Sequence, residues 1–320
     1  MNRIAAALAA AVLLSPFAAV AQGFPTKPIK MIVPLAAGGT GDTLARAVGE
    51  QMGKELGQPV VIENKPGAGG LVGTEIAKNS PPDGYTLLSV SPSHLINPAL
   101  HGAKKTYDPV KDFEPITVMA NTHQIIVAHP SVPVSNLKEL IDYAKKNPGK
   151  LNYGSAGTGS ATHLNMAMFT SMAGIDVVHV PYKGSTQARQ DVLAGQVQLA
   201  MDGLLPLQPL IKDGRLKPIA LTSSKRAQSN PDIPTIGEVV KGYASDTWYG
   251  IIAPAGTPKD IIARLNAAAV KALNSPAVKE RMQKLGAETV GNSPEEFAKL
   301  LESEQKLWTR AVKESGAKVD

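Results

Sequence analysis

The chain has no cysteine. That removes disulfides, thiol nucleophiles and thiolate metal sites together, and it fits an oxidising compartment where stray thiols are a liability. Aromatic residues are only 4% of the 320 positions. Basic residues exceed acidic ones by a formal charge of +6, and they are scattered along the chain. Nucleic-acid binding needs clustered positive charge with stacking rings, so no nucleic-acid partner is expected. The mild positive excess instead favours the approach of a small anion.

Enzyme signatures are also scarce. There is no Walker A loop and no Gly-x-Ser-x-Gly elbow. Three Gly-x-Gly turns lack the third small residue of the dinucleotide fingerprint: they run to Leu44, Val72 and Thr162. Two Ser-x-x-Lys matches, Ser135 with Lys138 and Ser303 with Lys306, lack companion motifs. The six histidines, His94, His101, His123, His129, His163 and His179, have no helical pair spacing for a metal. No cofactor and no metal are therefore expected.

What is present begins with a leader. Arg3 precedes the apolar run Ile4 to Leu14, which is too short to span a bilayer. Ala19-Val20-Ala21 then offers small residues for cleavage, so the cut is expected after Ala21 and residues 1–21 are read as a signal peptide. No later hydrophobic run has transmembrane length. The remainder suits two domains.

Strand and helix signals alternate, which predicts an α/β fold of mixed or parallel sheets flanked by helices. Two glycine-rich turns stand between a strand-like and a helix-like run. The first is Leu35-Ala36-Ala37-Gly38-Gly39-Thr40, followed by Asp42 as helix cap; the second is Ala156-Gly157-Thr158-Gly159-Ser160, followed by Thr162 and His163. Such turns expose unpaired N–H groups at a helix start, where the dipole favours negative charge. Two of them suggest two lobes, each with an anion cradle. Further candidates for the ligand are Ser93 and His94 after the third strand, Lys183 and Gly184 after another, and Asp202 at a carboxyl strand end. The run Ile116–Val127 is expected to be one strand passing between lobes. Ser91 to His94 is read as a turn, and the C-terminal third as helices capped by Thr257, Ser275 and Ser293.

Several segments in order resemble one family. They are Lys27 to Pro34 with Ala37-Gly38-Gly39 and Asp42, then Val61 to Gly70, Pro82 to Leu88, Tyr153 to Ser160 with His163-Leu164, Val180 to Gly184, Trp248-Tyr249-Gly250, and Ala253 to Pro258. Together they resemble the Bug receptors, the extracytoplasmic solute-binding proteins of tripartite tricarboxylate transporters. The resemblance implies a two-lobed "Venus flytrap" of the periplasmic type, with no catalysis and no cofactor. It implies a monomer that takes a di- or tricarboxylate, amino acid or aromatic acid and serves membrane transporter subunits. It also implies that backbone amides of Ala37–Thr40 and Ala156–Ser160, with water, hold the ligand. The family often has an aromatic residue where this chain has Leu35. Residues 22–122 and 247–320 are expected to form one lobe and 123–246 the other, with crossings near Asn121–Ile125 and Ser245–Tyr249. A receptor feeding a sensor would look the same in sequence, and a periplasmic hydrolase is the more distant alternative.

Overall fold

The computed structural model describes residues 23–35, 37–182 and 184–315. The expected leader with its cut after Ala21, Ala36 and Lys183 lie outside the described residues. Short β-branched runs bounded by Gly and Pro turns become strands, and longer stretches with apolar positions three and four apart become helices. The order opens with β1 (Ile29–Val33), α1 (Thr40–Leu56), β2 (Val60–Asn64), α2 (Leu71–Lys78), β3 (Thr86–Val90), α3 (Ser93–His101) and β4 (Phe113–Thr122). A second group follows: β5 (Gln124–Ala128), α4 (Leu137–Lys146), β6 (Asn152–Ser155), α5 (Ala161–Ala173), β7 (Val178–Pro181), α6 (Ser185–Leu193), β8 (Leu199–Gly203), α7 (Leu204–Lys212), β9 (Lys217–Leu221) and α8 (Ile236–Val239). The chain ends with β10 (Thr247–Pro254), α9 (Lys259–Asn274), α10 (Pro276–Lys284), β11 (Ala287–Thr289) and α11 (Pro294–Ser315).

Two mixed sheets result. One has the order β11-β4-β10-β3-β1-β2, the other β7-β6-β8-β5-β9. β1 is parallel to β2 and β3, whereas β10 runs antiparallel between β3 and β4. The last third of the sequence therefore returns to the first sheet. β6 is parallel to β7 and β8, and β5 is antiparallel to β8 and β9. The fold is two-lobed α/β.

The run expected to be one strand is two. β4 ends in the first sheet at Thr122 and β5 starts in the second at Gln124, so the chain changes sheets at His123. The return path lies beside it: Thr222 N–H donates to Gln124 O at 3.0 Å, and Ser245 N–H to Thr222 O at 2.9 Å.

Each sheet buries both faces. Met31, Val48, Leu87, Ile251, Leu265 and Met282 pack α1, α9 and α10 on one face of the first sheet. Trp248, Phe297, Leu301 and Trp308 fill the other face, under α11. Leu164 of α5 joins that second cluster, so α11 packs against both lobes. The five-stranded sheet is covered by α4 and α5 on one side and by α6 and α7 on the other.

Local differences have physical reasons. The turn expected at Ser91 to His94 is the start of α3, because Leu95 and Ile96 bury almost completely against the first lobe. β11, between the second and third of the expected C-terminal helices, is a three-residue edge strand on β4 that the sequence reading does not include. α1 starts at Thr40 with Gly39 as N-cap, two residues before Asp42. Ser275 caps α10 and Ser293 accepts from Glu296 N–H, as their Ser-Pro pattern suggests. The α9 cap is Pro258 instead, since the Thr257 hydroxyl donates to Pro254 O at 2.8 Å.

Candidate functional site

A cavity of about 680 Å³ lies between the lobes. Gly38, Gly39, Thr40, Thr247, Tyr249, Leu285 and Gly286 line it from the first lobe. Thr162, Ser185, Thr186, Arg189, Asp202 and Gly203–Pro206 line it from the second, with Thr122, His123 and Gln124 at the crossing. A slightly larger groove, about 710 Å³, runs outside between α1 and β2, but it is open along its length. It is lined by the first lobe alone, whereas both lobes line the interlobe cavity, which is the better candidate.

The first cradle presents the amides of its helix start, while Gly38 N–H is held by Asp42. The first N–H groups of α1 have no partner within the helix, and no side chain caps them. Asp42 is buried in the turn behind. Its carboxylate accepts from Gly38 N–H at 2.8 Å, Asn64 Nδ2 at 2.8 Å and Arg46 Nε at 3.1 Å. Burial alone would raise its pKa, but these bonds outweigh it and hold the carboxyl below its usual range. Asp42 thus shapes the loop and lies off the cavity. Leu35 also lies off it, packed with Tyr249 against Gly41, while Ala37 is exposed. A Cβ on Gly41 would stand 2.9 Å from Leu35 Cδ1 and 3.1 Å from the Tyr249 ring, so any larger residue here pushes on both side chains. Burial pushes the Tyr249 hydroxyl up to about 12, which keeps it protonated as a donor.

The second cradle differs. Its amides are taken by its own side chains: Ala156 N–H by Thr162 Oγ1 at 2.9 Å, Gly157 N–H by Ser155 Oγ at 3.1 Å, and Gly159 N–H by His163 Nδ1 at 3.0 Å. Ser160 caps α5 by accepting from His163 N–H. Of this segment only Thr162 lines the cavity; Ala156, Gly157, Thr158, Gly159 and Ser160 do not. Gly159 instead abuts Leu100 of α3, at φ +77°. His163 lies beneath the loop, its ring stacked 4.0 Å from His179. Burial lowers both, His179 to about 4 with His163 adding to the effect. His179 Nε2 is 2.7 Å from Ser155 Oγ, a serine–histidine contact, but Ser155 is fully buried and offers no nucleophile to solvent.

The third-strand candidates depart from their expected place. His94 is buried in the first lobe, stacked on Tyr107 and edge-on to Phe113, with Nε2 3.0 Å from Pro109 O. Burial lowers its pKa to about 4, and it does not reach the cavity. Ser93 Oγ pairs with Ser91 Oγ at 2.9 Å. Both residues belong to α3, whose burial turns them away from the cleft.

The opposite wall comes from α6. This helix begins after Gly184 with no side-chain cap, and Ser185 and Thr186 of its first turn line the cavity. One turn on, Arg189 reaches Asp202: Nε and Nη2 lie 3.0 and 2.8 Å from Oδ2. Asp202 Oδ1 also accepts from Gly203 N–H at 2.7 Å. Asp202 is therefore on the cavity as expected from its strand end, but its work is to orient Arg189. Gln124 Oε1 accepts from Asn165 Nδ2 at 2.9 Å, which leaves the Gln124 amide nitrogen free to donate. Two uncapped helix starts, from opposite lobes, thus share one cavity with hydroxyls and a guanidinium.

Among the described residues no cluster of three or more His, Asp or Glu is arranged for a metal, and no helix is long and apolar enough to cross a membrane. A family model for the tripartite tricarboxylate transporter family receptor matches residues 44–317. The chain belongs to that receptor family. It is 33% identical over 301 residues to protein BugT of Bordetella pertussis, covering 93% of this chain and 92% of BugT. Among solved structures, Rpa4515 of R. palustris with adipate is 34% identical, with a TM-score of 0.78 over 92% of this chain and 100% of that one. MatC from Rhodopseudomonas palustris with bound malate is 33% identical, with a TM-score of 0.75 over 90% and 100%. For this receptor, the cavity residues that local sequence reasoning missed include His123 and Gln124 at the crossing, Ser185, Thr186 and Arg189 of α6, and Tyr249 of β10. None carries a motif of its own; tertiary packing brings each to the cavity, Arg189 through Asp202 and His123 through Ser223 and Glu288.

Proposed function

We propose that this receptor is a periplasmic, non-enzymatic binding protein that captures a small carboxylate between its lobes and delivers it to tripartite-type transporter subunits. The observation that carries the reading is the pair of uncapped helix starts, α1 and α6, facing one interlobe cavity. Free amides and helix dipoles favour a bound anion, and the hydroxyls of Thr40, Ser185 and Thr186 add donors. Adipate and malate in the two related structures are acids of this kind. The first cradle and Arg189 hold the ligand directly; the second cradle contributes through Thr162 or through water. We divide the chain at 122/123 and 246/247, so that closure turns on the paired crossings at His123 and Ser245. Cleavage after Ala21 would release the monomeric receptor into the periplasm.

The test is thermal-shift screening of the refolded mature chain with dicarboxylates, citrate, acidic amino acids, aromatic acids and matched amides. A ligand at 100 times its Kd adds about 2.7 kcal/mol of stability. An acid that shifts the melt while its amide does not supports the reading. Equal shifts with the amides, or none with any acid, sink it.

A further inference from the structure

The bonds around His123 fix its protons. The ring is 7% exposed, lines the interlobe cavity and stands where the chain passes from one sheet to the other. Its Nδ1 is 3.1 Å from Ser223 Oγ, just after β9 in the second lobe. Its Nε2 is 3.3 Å from Glu288 Oε1, on β11 in the first. One imidazole therefore touches both lobes.

The Glu288 carboxylate has no proton to give; its Oε1 also accepts from Gln228 N–H at 3.1 Å. Nε2 must donate to it. Ser223 has a single hydroxyl proton, and its Oγ lies 2.7 Å from Lys225 O, a carbonyl that can only accept. That proton is used on Lys225, so Ser223 Oγ is an acceptor toward the ring and Nδ1 must donate as well. Both ring nitrogens donate only in the imidazolium. We propose that His123 is held as an imidazolium bridging the two lobes, and that it is a proton-dependent positive charge in the wall of the anion cavity. The ligand it would face rests on the reading above; the protonation does not.

The surrounding charges fit this assignment. Glu288 is the carboxylate bonded to the ring, and it is also the cross-lobe acceptor for Gln228. Asp202 on β8 and Arg189 on α6 share the cavity as an ion pair in which Asp202 orients the guanidinium. Tyr249 on β10 is held protonated by burial. On the return path, Asp246 is bonded by Ser224, the neighbour of Ser223. The lysines at hand are Lys225, present through its carbonyl, and Lys279, which lines the groove beside Glu288. When Nδ1 loses its proton, the Ser223 hydroxyl must swing from Lys225 O to the ring. Deprotonation thus removes one bond of the 223–225 turn and one cavity charge together. Anion capture should tighten as pH falls through the His123 midpoint.

The experiment needs no ligand. Ring ¹H–¹⁵N long-range spectra of the mature chain, labelled with ¹⁵N-histidine, are followed from pH 5 to 9, with His123→Asn to assign the signal. His123 should show two protonated nitrogens at pH 7. Its midpoint should fall by about one pH unit in Glu288→Gln and in Ser223→Ala, because each removes a partner of the charged form. A neutral, single-tautomer His123 at pH 7 overturns the proposal, and so do unmoved midpoints in both folded variants. Failure of the carboxylate screen would leave this result standing, and the reverse holds too.

Discussion

Glu304 on α11 is buried between two indoles, accepting from Trp248 Nε1 at 2.8 Å and Trp308 Nε1 at 3.0 Å. Burial raises its pKa to about 7; the indole bonds oppose this and nearby Asp246 adds to it. The folded protein therefore keeps a proton on Glu304 that the unfolded chain releases near its ordinary value. Stability contributed at this site is highest below about pH 4.5 and is lost as pH rises to about 7. The full difference is at most roughly 3 kcal/mol. His94 and His179, with pKa values lowered to about 4, act in the opposite sense over the same window. The readout is thus a difference: the melting temperature of wild type minus that of Glu304→Gln should fall from pH 4.5 to 7. A flat difference would show that the carboxyl does not titrate in place.

At the scale of the element, α1 is the part most legible in sequence and most exposed to test. The strand, glycine turn and helix signals are adjacent, so Gly38, Gly39 and Thr40 were found with nothing but local spacing. α3 was not, because Ser91-Pro92-Ser93 carries turn chemistry and only the distant burial of Leu95 and Ile96 makes it helical. Likewise the second cradle has the right residues, yet its hydroxyls and His163 fold back onto its own amides. Spacing does not distinguish a loop that offers its N–H groups from one that has used them. Gly41→Val tests the first cradle. Overpacking against Leu35 and Tyr249 should cost about 1–3 kcal/mol and tilt the α1 start. Calorimetry with any acid that shifts the wild-type melt should then show a large loss of affinity in a folded variant. Unchanged affinity would remove the α1 start from the site.

Over the whole molecule, the α/β class follows from alternating βα units, but the sheet order and the long-range closures do not. His123 meets partners 100 and 165 positions away, and Arg189 meets Asp202 across a helix and a strand. No periodicity in one sequence encodes such pairings. The same applies to α11, which packs on β4, α3 and α5 and so joins the two lobes. That contact predicts a single cooperative melt with equal calorimetric and van't Hoff enthalpies. Trp308→Ala, which empties the fully buried seat beneath α11, should cost about 3–5 kcal/mol and split the melt into two steps. A single transition retained in the variant would mean that the lobes are coupled elsewhere, at the crossings.

The shared seat of Trp248 and Trp308 also has an optical consequence. These are the only two tryptophans of the chain, and both indoles hydrogen-bond one carboxylate in the same buried pocket. All tryptophan emission therefore comes from one place. It should be blue-shifted and nearly immune to acrylamide while the protein is folded. It should also change in intensity near pH 7 as Glu304 ionises, so that the receptor carries its own internal indicator dye.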